Sequence, residues 1–278
     1  MMKNDIVYEG SYSKVVHIFD KLYFREGNLE VRDQCNCGFL VLNGCAAIID
    51  YPAQNPDHEI IEEVERITGL PVKYILVTHA HVDHVAGFRT LHRKDIQLIT
   101  KRSSIEQLYL EGYPVPPIKL AIESSMDLTL DGRDIHFEVP DVTAHSPWDM
   151  IIEIPEYKII FAGDLIALQK NMFFHSSNIK GWIQTIDKLM EKDYRYIVRG
   201  HGPIVESDYL QTVGNYLRNL DRAREWQSQY NEDITPESVS SAKTRLSPGL
   251  AAIVQELLKS ADAYNVARQI NQLYYKLR

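Results

Sequence analysis

The sequence predicts an α+β protein: strands, tight turns and a few helices over residues 1–205, then a helical C-terminal extension over residues 206–278. Short apolar runs joined by turn dipeptides such as Asn43-Gly44 and Asp131-Gly132 recur in the first part, and such runs are typical of β-hairpins. Beyond about Glu206 the strand signals stop and the apolar residues take helical spacing. The two parts therefore differ in the kind of secondary structure that they predict.

Composition and charge limit the classes of function. The chain has 278 residues, 45% of them hydrophobic and 24% charged, which is ordinary for a globular protein. The net charge of −8 argues against a broad nucleic-acid-binding surface. No apolar run is long enough for a membrane helix, and the N-terminus lacks the apolar stretch of a signal peptide. We expect a cytoplasmic protein with a small-molecule substrate and with neither nucleic acid nor membrane as a partner.

Three cysteines, Cys35, Cys37 and Cys45, leave two interpretations open. Burial habits favour reduced, partly buried thiols. The alternative is a redox or metal-binding pair at Cys35 and Cys37, which would share one face of a strand. Two thiolates alone make a poor structural metal site, so we prefer the first interpretation.

The elements before the first histidine cluster can be taken in order. Phe39–Leu42 and Cys45–Asp50 predict a hairpin about Asn43-Gly44, because this dipeptide accepts the backbone of a tight turn. A helix is predicted over Asp57–Ile67, since its apolar residues have helical spacing. The almost uninterrupted apolar run Val72–Thr78 predicts a buried strand.

Later elements follow the same rules. Helical residues are expected through Leu91, after the histidine cluster. The further predictions are hairpins joining Met126–Leu130 to Ile135–Val139 and Met150–Ile154 to Lys158–Ala162, a helix over Asn178–Met190, a short strand at Tyr196–Val198 and a C-terminal helix ending at Tyr275.

The segment His79-Ala80-His81-Val82-Asp83-His84 carries the most chemical information. Neutral imidazole nitrogens and a carboxylate suit zinc, and also iron or manganese. A loop leaving a buried strand can direct adjacent side chains at one point. We expect Asp83 and His84 to lie in the first turn of the helix that follows. The segment therefore predicts a metal site.

Four further polar residues follow predicted strands or turns: Asp50, His145, Asp164 and His201. Side chains on loops beyond strand ends can converge over a rigid scaffold. Any one of them alone would be weak evidence, because an isolated histidine in such a place is more often structural. Their order along the chain is what gives them weight.

The HxHxDH segment, a distant histidine, Gly163-Asp164 and Gly200-His201-Gly202 together resemble the metallo-β-lactamase superfamily from about Asn36 to Pro203. The resemblance implies a four-layer αββα sandwich, with residues 1–205 as the catalytic domain. By motif position, it implies a first metal held by His79, His81 and His145, and a second held by Asp83, His84 and His201. Asp164 would bridge the two, and Asp50 would support the motif loop.

The resemblance also implies a mechanism. Two divalent cations, zinc first with iron or manganese as alternatives, would share a bridging hydroxide that attacks an acyl or phosphoryl centre. Asp83 is the candidate catalytic residue because it would also accept a proton. Members with the bridging carboxylate are glyoxalase II-type thioesterases, lactonases, sulfatases and phosphodiesterases, whereas β-lactamases generally lack it. A small acyl ester or thioester is therefore the preferred substrate class.

Other activities of the same fold stay open. The lactonases carry a tyrosine a few residues beyond the bridging aspartate, where this chain has Leu165-Ile166-Ala167, which weakens the lactonase hypothesis. Phosphodiesterase, β-lactamase and iron-dependent persulfide dioxygenase activities are alternatives, as is a metal-binding protein without turnover. A flavodiiron protein is disfavoured because it would have Glu at the position of His81 and would need a flavin domain.

Three features have no unique interpretation in the sequence. His175 lies at the pocket mouth or is an ordinary loop histidine. Trp182 has the helical spacing of a core residue rather than of a substrate platform. The extension over 206–278 packs on the domain, caps the site or forms a homodimer contact.

Overall fold

Two β-sheets contain all the strands of the computed structural model, which describes residues 2–28, 30–31, 34–53, 59–167 and 172–276. In the eight-stranded sheet the strands lie in chain order, antiparallel from β1 to β5 and parallel from β5 to β8. Its strands are β1 (Asp5–Glu9), β2 (Ser13–Phe19), β3 (Leu22–Gly27), β4 (Cys37–Val41), β5 (Ala46–Ile49), β6 (Val72–Val77), β7 (Gln97–Lys101) and β8 (Ile118–Ile122).

The second sheet has six strands in the order β14-β13-β12-β11-β10-β9. Only the β12–β13 pair is parallel. Its strands are β9 (Met126–Leu130), β10 (Arg133–Glu138), β11 (Ile151–Ile154), β12 (Ile159–Phe161), β13 (Tyr196–Val198) and β14 (Val205–Glu206).

Nine α-helices are present in the described part of the chain, along with short 3₁₀ segments at Ala86–Thr90, Pro155–Tyr157 and Gly163–Ile166. The helices are α1 (Ile60–Thr68), α2 (Val82–Val85), α3 (Arg102–Leu110), α4 (Ile179–Met190), α5 (Tyr209–Tyr230), α6 (Pro236–Ser240), α7 (Ala242–Arg245), α8 (Pro248–Leu257) and α9 (Ala263–Tyr275).

The predicted hairpins and the buried strand β6 are confirmed. At the turn between β9 and β10, Asp131 and Gly132 both have positive φ, 40° and 79°, as a tight type I′ turn requires. The Asn43-Gly44 turn is formed as well, with positive φ at Gly44 (77°). Helix α1 ends at left-handed Gly69. Residues 57 and 58 of the predicted helix lie outside the described residues.

The chain divides into two compact units. The first comprises Met1–Pro140, Trp148–Gly163 and Tyr194–Glu206, and contains both sheets with α1 to α3. The second comprises Asp141–Pro147, Asp164–Asp193 and Ser207–Arg278, and contains α4 to α9. The functional division predicted at residue 205 stays a prediction.

Both faces of the central strands β4 to β7 are largely buried, which explains their continuous apolar runs. In β6, Leu76 belongs to a cluster that also contains Phe137 of the second sheet. Its neighbour Ile75 belongs to a different cluster, shared with Val64 of α1 and Leu108 of α3. Alternate residues of a strand point to opposite faces, so β6 packs into two separate hydrophobic cores. The structure therefore confirms the predicted fold class, in which two sheets with helices are followed by a helical C-terminal extension.

No helix in the described ranges combines the length and apolar character needed to cross a bilayer. The cytoplasmic location stays a prediction.

Candidate metal centre

The motif loop begins where β6 ends. His79 is buried and His81 is half-buried, and their ring centroids lie 4.8 Å apart in a perpendicular arrangement. Their ligand nitrogens lie within 4.8 Å of each other. The Oγ1 atom of Thr78 is 3.2 Å from Nδ1 of His79 and helps to fix that ring. The first two motif histidines thus present nitrogens to a common volume.

Asp83, His84 and His201 form a second group within the same unit. Asp83 and His84 lie in the single turn of α2, as predicted, and His201 lies in the loop after β13. Nε2 of His201 is 2.8 Å from Oδ2 of Asp83, and Nε2 of His84 is 3.8 Å from the same oxygen. Potential ligand atoms of all three residues lie within 4.8 Å of one another. The fold brings together residues that are 118 positions apart.

Asp50 connects these groups to the sheet. Its carboxylate accepts hydrogen bonds from the Thr78 backbone N–H (2.7 Å) and hydroxyl (2.8 Å), and lies 2.9 Å from Nδ1 of His84. Asp50 is 3% exposed and has a positive φ of 61°. A carboxylate on one imidazole nitrogen orients the other for a metal. Asp50 therefore holds the motif loop, as the resemblance implies.

Asn36 holds the loop of His201, and sequence reasoning missed it. Its side-chain amide donates to the carbonyl groups of Arg199 (2.9 Å) and Gly202 (2.6 Å), and its backbone N–H donates to Gly200 (2.8 Å). Asn36 is 3% exposed. These partners are more than 160 positions away, so no local pattern could have indicated the role.

Gly163 allows β12 to end close beneath the motif loop. Its φ is 50°, and a Cβ at this position would lie 2.6 Å from Oγ1 of Thr78 and 3.1 Å from Nδ1 of His79. Its carbonyl accepts a hydrogen bond from the Gly200 backbone N–H. Both the positive φ and the lack of space require glycine here.

The second unit carries His145 and Asp164. Nε2 of His145 lies 3.9 Å from Oδ2 of Asp164. The ring of fully buried Trp182 contacts His145 at a centroid distance of 5.1 Å. Trp182 is thus a core residue, as its helical spacing predicts. The remaining two predicted ligands therefore also lie side by side.

Two further predictions concern the three cysteines and His175. All three cysteines are free and buried. Cys35 could join Asp50 and His84 in a third group of potential ligands. Burial, with Cys37 beside it, raises the pKa of the Cys35 thiol well above its usual value, which opposes the thiolate form that a metal needs. His175 is exposed, with Nε2 3.3 Å from the Gln272 amide.

Trp148 is a second residue that sequence reasoning missed. Its half-buried ring lies perpendicular to His81, with a centroid distance of 5.4 Å. It places an aromatic surface beside the motif loop.

The model of the metallo-beta-lactamase superfamily matches residues 31–201. A metallo-beta-lactamase type 2 of Bacteroides fragilis is 25% identical over 198 residues, 66% of this chain and 78% of that protein. A hydroxyacylglutathione hydrolase of Rhizobium meliloti (strain 1021) is 28% identical over 151 residues, and the match spans 54% of each chain.

Solved structures agree on the fold. A metallo-beta-lactamase from Pontibacter korlensis superposes with a TM-score of 0.66 at 19% identity, over 74% of this chain and 99% of that chain. The structure of TMB-1 superposes with a TM-score of 0.65 at 21% identity, over 76% of this chain. Because the family model covers more than half of the sequence, the chain belongs to the metallo-beta-lactamase superfamily.

Proposed function

We propose that the chain is a two-metal hydrolase acting on a small acyl ester or thioester. The observation that carries the proposal is the convergence of five side chains within the first unit: His79, His81, Asp83, His84 and His201. Imidazole nitrogens and carboxylate oxygens are the ligands that zinc takes in catalytic sites. The donor set therefore fits the metals that the superfamily implies.

The proposed ligand assignment follows the motif order. His79, His81 and His145 would hold the first ion, and Asp83, His84 and His201 would hold the second. Asp164 would be a ligand to both. The spacing of His79 from His81, of Asp83 from His201, and of His145 from Asp164 supports this assignment.

Each residue then has a chemical task. Two bound cations would supply hydroxide at neutral pH, by lowering the pKa of a water toward neutrality, and would stabilise developing negative charge. Asp83 would be the group that receives the released proton, since its carboxylate is partly exposed. Asp50 keeps the His84 ring oriented. Trp148 offers an apolar surface to the acyl group beside His81.

An acyl ester or thioester is the preferred substrate because Asp164 matches the bridging carboxylate in motif order, and because one relative is named for hydrolysis of hydroxyacylglutathione, an acyl compound. β-Lactam hydrolysis is the second candidate. It is favoured by the Bacteroides fragilis relative and by the names of the similar structures.

The test combines metal analysis with a substrate panel. Purified protein is assayed for zinc, iron and manganese per chain, and for turnover of esters, thioesters, lactones, phosphodiesters and β-lactams. We expect two ions per chain and the highest kcat/KM on a thioester or ester. Asp164→Ala should lose one ion. Its kcat/KM should fall by more than the 10- to 100-fold that the loss of a supporting partner costs. His136→Gln, which alters a histidine on β10 bonded to Asp127 and Glu138, is the matched control.

Three outcomes would contradict the proposal. Highest activity on β-lactams would replace the proposed function by β-lactam hydrolysis, the second candidate. Iron with oxygen uptake on a persulfide would make it an oxidoreductase. Metal binding without turnover of any class would make it a binding protein.

A further inference from the structure

Trp182 touches both ligand-bearing segments of the second unit. We propose that it is a positioning residue for His145 and Asp164, and that helix α9 of the C-terminal extension supports it. This inference rests on the proposed function, because it concerns residues assigned there as metal ligands. It gives the extension a task beyond stability.

The first contact is with the imidazole of His145. The two rings meet at 66°, with centroids 5.1 Å apart, and His145 is 3% exposed. Tilted aromatic contacts of this kind restrict ring orientation. Trp182 therefore limits the directions in which the His145 nitrogens can point.

The second contact fixes the turn that carries Asp164. The indole Nε1 donates a 2.9 Å hydrogen bond to the carbonyl of Leu165, the next residue along the chain. Leu165 is 1% exposed, so its carbonyl would have no water to replace the lost donor if the indole were removed. The same side chain thus sets the position of the Asp164 turn.

The segment 172–177 supports Trp182 from another side. The Phe174 ring lies 5.5 Å from the Trp182 ring, and Phe174 is fully buried. This segment immediately precedes Asn178, whose side chain caps α4. Movement of Phe174 would therefore release one side of the indole.

Two side chains of helix α9, and Lys276 directly after it, bind that segment. Lys276 donates to the carbonyl groups of Phe174 and Ser177. The Arg268 guanidinium and the Gln269 side-chain amide both donate to the Met172 carbonyl, each at 3.3 Å. Gln269 is fully buried, and its oxygen accepts a 2.6 Å hydrogen bond from the Tyr216 hydroxyl of α5. A continuous set of contacts leads from α9 to Trp182 and on to His145.

A merely structural role for Trp182 predicts something different. Substitution would then lower the unfolding temperature and leave the metal affinity of the folded protein unchanged. A positioning role predicts weaker metal binding at temperatures where the variant is fully folded. Metal affinity thus separates the two roles, and it does not depend on turnover.

The experiment compares Trp182→Phe, Trp182→Leu and Lys276→Met with the matched control Trp226→Phe. Trp226 lies in the same unit, against Gly249. Zinc affinity is measured by competition with a chromophoric chelator, cobalt coordination by visible absorption, and folding by circular dichroism. Trp182→Phe keeps a ring but loses the donor, and tests the idea even if Trp182→Leu does not fold.

We expect about tenfold weaker zinc binding in Trp182→Phe and up to about a hundredfold in Trp182→Leu, the range for partners that orient metal ligands. The zinc affinity of Lys276→Met should lie between those of Trp182→Phe and the wild type. Trp226→Phe should bind zinc as tightly as the wild type does. Folded Trp182 variants with wild-type zinc affinity and an unchanged cobalt spectrum would overturn this inference without affecting the proposed function. A wild-type protein that binds no metal would overturn the proposed function and this inference with it.

Discussion

The two regions that carry the proposed ligands are held by different forces. In the first unit, the buried carboxylate of Asp50 fixes the motif loop through Thr78 and His84. In the second unit, Trp182 holds His145 by ring packing and the Asp164 turn by one neutral hydrogen bond. Hydrogen bonds to a charged group contribute about 1.5 to 3 kcal/mol, against about 0.5 to 1.5 kcal/mol for neutral ones. The motif loop should therefore be the more rigid region.

Removing Asp50 tests this difference with the largest expected effect. Asp50→Ala leaves three buried groups without their acceptor and puts alanine at a positive φ. We expect a loss of about 3 to 5 kcal/mol in the free energy of unfolding of the metal-free protein. Urea denaturation measures it. Asp50→Asn, which tolerates the same backbone conformation, should lose less stability. Equal losses in Asp50→Ala and Trp182→Phe would remove the contrast between the regions.

Gly163→Ala tests the junction below the motif loop. The added Cβ would lie 2.6 Å from Thr78 Oγ1 at a positive φ, so we expect a loss of about 2 to 4 kcal/mol from strain and displacement together. Gly44→Ala is the matched control, because its φ is 77° and nothing lies within 4 Å of the added atom. It should cost only about 1 kcal/mol. If urea denaturation shows the same loss in the free energy of unfolding for both substitutions, the close approach at Gly163 does not affect stability.

His136 lies outside both regions and provides the smallest effect. Burial lowers the pKa of this histidine, but the carboxylates of Asp127 and Glu138 raise it more, so its net pKa is raised. Its contribution to stability is therefore complete below the unfolded pKa of about 6.5 and is lost as pH rises through the folded value. The stability difference between wild type and His136→Gln should be below about 1 kcal/mol, largest below about pH 6.5 and smaller as pH rises above it. A difference that grows with pH would contradict this assignment.

The motif loop could be predicted because its residues are contiguous. The apolar run of β6 fixes where the strand ends, and His79 to His84 follow within six positions. The hairpin about Asp131-Gly132 was equally local, since the dipeptide itself accepts both positive φ angles. Such features depend on near neighbours in sequence, so pattern reasoning reaches them.

The supporting residues could not be found in this way. Asn36 meets Arg199 and Gly202, and Trp182 meets His145 and Leu165, only after the chain has folded. Strands β1 to β3 were not singled out either. The residues of β2 and β3 mix buried and half-buried positions, and those of β1 are mostly exposed; no strong turn dipeptide joins these strands. Tertiary packing, rather than local propensity, sets these parts.

The central claim is tested most directly by anomalous diffraction from crystals grown with zinc and measured on both sides of the zinc absorption edge. We expect two peaks a few ångströms apart: one next to His79, His81 and His145, the other next to Asp83, His84 and His201, with Asp164 reaching both. No peak at these residues, or a single peak that leaves Asp164 uncoordinated, would contradict the two-metal hydrolase.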